Sequence, residues 1–382
     1  MMLDSLAPIS VSPFAQAVIK LEDLMSQSNR AFLLGAGCSR CAGLPLTSEL
    51  TDLILKEPSL SGETKNILAA LTKQFQGAKN ATIEDFMSEL VDLLAIVERR
   101  NERGAKATSI ELGGKTYAVE QLHYSLLEIK EKIAKCIEER KADVSIHWQF
   151  VKAVHRILRS GKASPNRAVD YLVLNYDTLI EDALALERLN YADGFCGGST
   201  AYWVTKCFDS DSCDARVLKI HGSIDWCELN GEVLPCRIRP SLKLPTGSKK
   251  RVLIWPASTK YRETQNDPYA QILEIVRGAL RPSTNSEVVL TVCGYRFGDS
   301  HINIEIDRAL RESNKALTVV VFTEMEKPEG KLKEWIDDGA VKDQMLVYAK
   351  RGFFHGSNAT LADQDLPWWK FENLTRLLRG ER

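Results

Sequence analysis

A short apolar run that ends in closely spaced glycines constrains the fold of this chain more than any other part of its sequence. Residues 31–34 (Ala-Phe-Leu-Leu) predict a buried strand, and residues 35–39 (Gly-Ala-Gly-Cys-Ser) predict a glycine turn that opens a helix. Glycine lets the backbone approach a bound group closely, and the N–H groups at the start of a helix favour anionic oxygens. The stretch therefore predicts a strand–turn–helix unit that binds the pyrophosphate of a dinucleotide.

Two familiar glycine loops do not fit this turn. The fingerprint of dinucleotide-binding dehydrogenases has a third glycine three residues after the second, and that position is Arg40. A P-loop ends in Gly-Lys-Ser/Thr, but the first lysine after Gly35 is Lys56. The turn is therefore not typical of hydride transfer or of phosphoryl transfer. What remains is the pattern Gly-Ala-Gly-x-Ser-x-x-Ala-Gly-x-Pro at residues 35–45.

Length and composition are those of an ordinary globular protein. The chain has 382 residues, 44% hydrophobic and 26% charged, which allows two or three domain-sized units. Its net charge of −1 gives no overall field for binding nucleic acid or a membrane. Residues 237–251 carry six Lys/Arg and no acidic residue. A solvated loop is favoured there over contact with nucleic acid.

The sequence also predicts a protein of the reducing cytoplasm. No apolar run approaches the roughly 20 residues of a membrane span, and residues 1–18 lack the pattern of a signal peptide. Nine cysteines, an odd number spread along the chain, do not resemble a disulfide framework.

Short runs rich in Val, Ile and Leu recur along the chain, and helical patterns alternate with several of them. The runs lie at residues 31–34, 169–174, 217–220, 252–254, 288–292, 317–322 and 345–348. Such runs are typical of parallel strands that are buried on both faces. We therefore expect an α/β fold with a mostly parallel, Rossmann-like sheet flanked by helices.

Two apolar stripes of helical period predict a helical block between the first two strands. Their members are Ile83, Phe86, Met87, Leu90, Val91, Leu94 and Val97, then Leu122, Leu126, Ile129, Ile133 and Cys136. We expect residues 1–50 and 166–350 to form the core, residues 51–165 a helical insertion, and residues 190–260 a small irregular module within the core. Residues 351–382 should form a tail that its aromatic side chains dock onto the body.

Three more turns follow predicted strands and carry chemically useful side chains. Asn175 and Asp177 come directly after residues 169–174, and His221 follows residues 217–220 in a His-Gly turn. Gly294 follows residues 288–292 and would let the backbone approach a ribose or adenosine. Open α/β sheets bind their ligands at the carboxyl ends of their strands. Histidine is the side chain best suited to proton transfer near neutral pH, so His221 is the candidate general base.

Each of these turns also has a structural interpretation. Asp177 could simply cap the next helix, although that leaves Asn175 unexplained. A His-Gly turn considered alone is more often structural than catalytic. Asp299 and Asn303, which follow Gly294, could cap a helix or line the site. The combination of all four turns favours the functional interpretation.

In this order the four segments, within residues 33–303, resemble the catalytic core of the sirtuin family. The resemblance implies that the glycine turn holds NAD, that the Asn and Asp lie at the nicotinamide ribose, and that the histidine acts as base. It assigns Asn175 and His221 to catalysis. The residues predicted to bind NAD are Gly35, Ala36, Gly37, Ser39, Asp177 and Gly294.

Two departures separate this chain from protein-deacylating sirtuins. Those enzymes follow the Ala-Gly-x-Pro segment with Asp-Phe-Arg, whereas residues 46–48 here are Leu-Thr-Ser. They also carry two Cys-x-x-Cys pairs after the histidine, and this chain has only Cys227, Cys236 and Cys293 there. A structural zinc site needs four ligands. We therefore expect neither a zinc ribbon nor a bound metal.

The Asn-Tyr-Asp turn, residues 256–260 (Pro-Ala-Ser-Thr-Lys) and residues 295–303 resemble the sirtuin-like domains of bacterial antiphage defence proteins. That resemblance implies NAD hydrolysis and a homo-oligomer. It also implies a separately encoded partner subunit, such as a HerA-type ATPase or an Argonaute. The predicted function is thus an NAD glycohydrolase. The alternatives are an NAD-dependent protein deacylase and a sensor that binds NAD or ADP-ribose without turnover.

Overall fold

The computed structural model describes residues 4–26, 29–76, 81–106, 108–156, 168–209, 212–229, 234–238, 250–253, 267–283 and 286–381. The strands in this part of the chain are β1 (Arg30–Leu34), β2 (Ser109–Leu112), β3 (Lys115–Ala118), β4 (Val169–Val173), β5 (Tyr191–Ala192), β6 (Phe195–Gly197), β7 (Ala201–Trp203), β8 (Ala215–Lys219), β9 (Gly222–Glu228), β10 (Cys236–Arg237), β11 (Lys250–Leu253), β12 (Val288–Cys293), β13 (Leu317–Thr323), β14 (Met345–Ala349), β15 (Gly352–His355) and β16 (Asn358–Leu361). The α-helices there are α1 (Phe14–Met25), α2 (Ala36–Ser39), α3 (Thr47–Leu55), α4 (Gly62–Gln74), α5 (Ile83–Glu102), α6 (Val119–Glu138), α7 (Ser145–Arg156), α8 (Leu179–Leu186), α9 (Tyr269–Ala279), α10 (Ser300–Glu312), α11 (Gly330–Asp337) and α12 (Phe371–Leu378).

A nine-stranded sheet forms the centre of the molecule. Its order is β16-β15-β14-β13-β12-β1-β4-β8-β5. Every neighbouring pair from β14 to β5 is parallel. At the other edge, β15 pairs with β14 and β16 pairs with β15, both antiparallel. The predicted α/β fold with a mostly parallel sheet is confirmed.

The direction of strand addition reverses beside β1. From β1 the sheet grows through β4 and β8 on one side, and the chain then returns to place β12 on the other side. Leu34, the last residue of β1, pairs with Cys293 of β12 and with Val173 of β4. This reversal is a topological switch point, where an open α/β sheet has a crevice at the carboxyl ends of its strands. Gly35 and Gly294 are the first residues beyond those ends.

The middle of the sheet is buried on both faces because its strands are largely apolar. In β1, Ala31 and Leu33 pack into one hydrophobic core, and Phe32 and Leu34 pack into the core on the opposite face. All five residues of the strand are buried. The continuous apolar runs in the sequence predict this burial of side chains on both faces of the sheet.

A separate hydrophobic core holds the helices between β1 and β4 together. It is formed by α3 to α6 and the β2–β3 hairpin. The predicted stripe residues Leu90 and Ile129 are fully buried in it. Tyr176 and Ile224, which flank the candidate site residues, also pack against this core. Helix α7 lies instead against the central sheet through Phe150 and Val154, and the domain boundaries stay predictions.

The irregular segment after α8 contains a five-stranded antiparallel sheet. Its order is β11-β9-β10-β7-β6. Trp203 of β7 and Trp226 of β9 pack into the hydrophobic core of the main sheet. A disulfide joins Cys196 to Cys207. The sequence analysis did not anticipate this bond, since it judged only the scattered cysteine pattern as a whole.

The C-terminal tail is an integral part of the core. The Trp368 indole N–H donates to the carbonyl of Ala349, 2.8 Å away, and its ring packs edge-on against Phe14 and Tyr348. Within the described residues, no helix combines the length and the hydropathy that a membrane span needs. Residues 256–260, residue 254 and residues 239–249 of the basic segment lie outside the described residues.

Candidate active site

The glycine turn after β1 packs directly on the turn after β12. The Gly35 N–H donates to the Cys293 carbonyl and the Gly37 N–H to the Gly294 carbonyl, each at 3.0 Å. A Cβ on Gly35 would lie 2.4 Å from the Gly294 oxygen, and one on Gly37 would lie 2.8 Å from the Gly294 Cα. Gly294 itself has a φ of +68°. These three glycines are therefore required for the close contact between two backbone turns at the switch point.

This geometry changes the reason for the glycines. The sequence analysis explained them by the approach of a ligand, whereas the structure explains them by backbone packing. Their predicted contact with NAD stays a prediction. Ala36 begins the four-residue helix α2 in the same turn. It therefore lies at the helix start where the phosphates of the ligand are predicted to bind.

A hydrogen-bonded chain of buried side chains joins the turn after β1 to the turn after β4. The Asn175 amide nitrogen donates to the Gly35 carbonyl at 3.0 Å and to the Ser39 hydroxyl at 2.6 Å. The Ser39 hydroxyl in turn donates to the Asp177 carboxylate at 2.6 Å. Ser39, Asn175 and Asp177 are each more than nine-tenths buried. The predicted residues are thus brought together as one rigid polar group.

Asp177 has the capping contact that the structural interpretation predicted. Its second carboxylate oxygen accepts the backbone N–H of Leu179 at 3.1 Å, at the start of α8. The first oxygen accepts from Ser39. Both oxygens therefore have protein donors. Its assignment to the nicotinamide ribose is not tested by this arrangement and stays a prediction.

A buried ion pair lies behind this turn. Lys219, the last residue of β8, is 1% exposed and donates to the Asp177 backbone carbonyl. Its ammonium nitrogen also lies 3.7 Å from a carboxylate oxygen of Glu181 on α8. Burial raises the pKa of Glu181 to about 7, although Lys219 acts in the opposite direction. Sequence reasoning assigned no role to Lys219, and the signal was a lysine directly after the apolar pair Val217 and Leu218, at the end of a buried strand.

His221 is held beside the Asn-Tyr-Asp turn by the residues that follow it. The Ser223 hydroxyl and the Ile224 N–H both donate to the Tyr176 carbonyl, at 3.2 and 2.9 Å. His221 itself is 4% exposed. The base candidate and Asn175 are therefore carried by two turns that are bonded to each other.

Residues that follow β12 also lie close to His221. The Nε2 atom of His221 lies 3.9 Å from a carboxylate oxygen of Asp299. The rings of His221 and His301 have centroids 5.6 Å apart. All three side chains are more than nine-tenths buried. This places two further titratable groups next to the predicted base.

No group of three His, Cys, Asp or Glu side chains that could hold a metal ion occurs within the described residues. The chemistry available from these residues is therefore described through their hydrogen bonds and proton transfer. Amide, hydroxyl, carboxylate and imidazole groups can orient a sugar, position a water and accept its proton.

Comparison with known protein families gives a match that covers part of this site. A family model described as a SIR2-like domain matches residues 170–340, a span that includes Asn175, Asp177, His221 and Gly294. Residues 170–340 are therefore similar to a SIR2-like domain. No curated protein matches the chain in sequence.

Several solved structures are similar to this one at low sequence identity. A Sir2 homologue in complex with NAD is 12% identical, covers 95% of this chain and 93% of its own, and gives a TM-score of 0.41. A mutant Sir2 homologue in complex with ADP-ribose is also 12% identical, with coverages of 94% and 95% and a TM-score of 0.39.

Proposed function

We propose that this protein hydrolyses the nicotinamide N-glycosidic bond of NAD to give ADP-ribose and nicotinamide. The observation that carries the proposal is the connection between two buried groups at the switch point. Asn175, Ser39 and Asp177 form one hydrogen-bonded chain, and the His221 turn is bonded to the peptide between Asn175 and Asp177. The match of residues 170–340, which include Asn175, Asp177 and His221, to a SIR2-like domain supports it.

The fit of NAD to these residues follows from their chemistry. The switch point is where an open α/β sheet binds a nucleotide, and the turns at residues 35–39 and at Gly294 would take its ADP-ribose part. Polar side chains that are buried together at such a crevice suit the hydroxyls of a ribose and the amide of nicotinamide. The nicotinamide end would then lie towards Asn175 and His221.

The proposed reaction needs no strong general acid. The C1′–N bond breaks and its electron pair returns to the nicotinamide ring, which leaves as a neutral molecule. A water oxygen bonds to C1′, and one of its protons passes to His221 and then to solvent. The Asn175 amide nitrogen already donates to two protein acceptors. Its amide oxygen is therefore the atom that we propose to orient the attacking water.

The direct test is NAD turnover by the purified protein, followed by chromatography of nicotinamide and ADP-ribose. Positioned proton transfer contributes about 10²- to 10⁴-fold, so His221→Ala and Asn175→Ala should each lose at least about 10²-fold in rate. His123→Ala, which removes a 43% exposed histidine on α6, is the matched control and should keep the wild-type rate. Wild-type rates in both site variants would contradict the mechanism.

Two alternatives share the NAD site but differ in outcome. A deacylase would form O-acyl-ADP-ribose only when an acyl-lysine peptide is added, whereas a hydrolase releases ADP-ribose without peptide. A sensor would bind NAD or ADP-ribose in a calorimeter and return the nucleotide intact. Product analysis with and without peptide therefore separates all three.

We also propose that the activity depletes NAD in antiphage defence, in a cytoplasmic homo-oligomer with a HerA-type ATPase as partner. The support is the likeness of the Asn-Tyr-Asp turn and residues 295–303 to defence proteins. Survival of phage-challenged cells that express this chain and its genomic neighbour tests the role. Cells carrying His221→Ala should lose protection, and protection that survives the substitution would contradict it.

A further inference from the structure

We propose that Asp299 is a positioning residue for His221: its carboxylate orients the imidazole and stabilises the imidazolium that forms when His221 accepts a proton. This inference rests on the proposed function. It adds a residue that the sequence could only describe as a helix cap or a lining residue.

The first argument is that the Asp299 carboxylate is not used as a cap. Asp299 occupies the N-cap position of α10, where an aspartate normally accepts an N–H from the first helical turn. Within the described first turn of α10, its side chain makes no such hydrogen bond. One oxygen lies instead 3.9 Å from Nε2 of His221. Helix capping, the common role of an aspartate at this position, therefore does not explain why the Asp299 carboxylate lies beside His221.

The second argument is that the turn carrying Asp299 is fixed on several sides. The Tyr295 hydroxyl accepts the Asp299 N–H at 3.1 Å and lies 3.1 Å from both the Asp299 carbonyl and the Asn303 amide oxygen. The Asn303 amide nitrogen donates to the Phe297 carbonyl at 2.7 Å. A carboxylate on such a turn cannot relax far when the charge on His221 changes. This explains Asn303 as a brace of the turn, which the sequence had left open.

The third argument is electrostatic. Both side chains are more than nine-tenths buried, so the attraction between them is screened far less than it would be in water. An opposite charge at this distance favours the charged form of an ionisable group. Asp299 and His301 both face the His221 ring. Of these two side chains, Asp299 is the one that supplies a negative charge to an imidazolium.

The chemical consequence concerns the proton taken from water. When the C1′–N bond breaks and water bonds to C1′, the released proton leaves His221 positively charged until it passes to solvent. Asp299 lowers the free energy of that charged state and leaves the bonds that NAD makes to the glycine turns unaffected. Loss of the carboxylate should therefore change kcat rather than the affinity for NAD.

The test compares Asp299→Asn with Asp299→Glu. Asparagine has the size and shape of aspartate and is equally favoured at an N-cap position, and within the described part of α10 the Asp299 side chain makes no capping bond that could be lost. Asp299→Asn should therefore fold, and a melting curve checks this. We expect kcat to fall about 10- to 100-fold with KM within about twofold of wild type, and Asp299→Glu to recover part of the loss. Glu312→Gln removes an exposed charge at the other end of α10 and is the matched control. An unchanged kcat in Asp299→Asn overturns the proposal.

A second readout does not depend on turnover. NMR titration of the ¹³C-labelled imidazoles, with the His221 signal identified through His221→Asn, should show its midpoint about one pH unit lower in Asp299→Asn. An unchanged midpoint overturns the positioning role. If the wild-type protein cleaves no NAD while the midpoint still moves, the proposed function fails and the Asp299–His221 coupling stands.

Discussion

Replacement of Lys219 by methionine tests whether the buried ion pair supports the candidate site. Lys219 donates to the Asp177 carbonyl and pairs with Glu181 at 3.7 Å. Lys219→Met keeps the length of the side chain but leaves that carbonyl without its donor, at a cost of about 1–3 kcal/mol. It also leaves Glu181 without its cation. Removing one partner of a buried pair typically costs about 3–5 kcal/mol.

The expected total loss of stability for Lys219→Met is about 3 kcal/mol, towards the lower end of the range for a broken buried pair. The reason is that the pKa of Glu181 is already about 7, so the carboxyl can take up a proton instead of remaining as an unpaired charge. Urea unfolding measures the loss. Lys333→Met, which removes a 62% exposed lysine paired with Asp337 on α11, should change stability by less than about 1 kcal/mol.

The double variant decides whether the two groups act together. Glu181→Gln removes the charge that Lys219 balances, so Lys219→Met combined with Glu181→Gln should lose less than the sum of the two single changes. We expect a coupling of about 1–3 kcal/mol, the range for residues in contact. Additive losses, or a Lys219→Met variant within about 0.5 kcal/mol of wild type, would refute the reasoning.

Three further predictions follow from the same residues. Gly35→Ala should lose about 1–3 kcal/mol in urea unfolding because its Cβ would meet the Gly294 oxygen at 2.4 Å, whereas Gly298→Ala has open space and should be near neutral. Ser39→Ala removes the hydroxyl between Asn175 and Asp177, so a loss of about 1–3 kcal/mol and a lower kcat are expected; unchanged turnover would argue against the chain as a catalytic unit. Because burial raises the Glu181 pKa from 4.5 to about 7, the folded state keeps a proton that the unfolded state releases in this window. Wild-type stability should therefore fall relative to Glu181→Gln from about pH 4.5 to 7, by up to about 3 kcal/mol; parallel pH curves for the two proteins would contradict it.

The sequence was sufficient to predict six strands of the central sheet and that this sheet is mostly parallel, but not β5, β15 or β16. A run such as residues 31–34 is apolar at every position, which is typical of a strand buried on both faces. The strand order was beyond reach, because β1 pairs with β12 across more than 250 residues of chain and no local pattern encodes that choice. The switch point therefore became visible only in the structure.

For the candidate site, residue types were easier to predict than their roles. Asn175 was singled out by its position after a strand and Ser39 by the resemblance to sirtuins, and the structure brings them into contact. The role of the glycines changed, since the atoms they avoid belong to the facing turn. Lys219 lies near Glu181 and Asp299 near His221, partners far away in sequence. Sequence reasoning therefore assigned no role to Lys219 and left Asp299 as a cap or a lining residue.

Hydrolysis in ¹⁸O-labelled water tests the central claim most directly. The purified protein, alone and together with its genomic neighbour's product, is incubated with NAD, and the products are analysed by chromatography and mass spectrometry. The account predicts equal amounts of nicotinamide and ADP-ribose, one ¹⁸O atom in the ADP-ribose, and product formation at least about 10²-fold slower with Asn175→Ala. Intact NAD under both conditions, or ADP-ribose formed equally fast by Asn175→Ala, would contradict it.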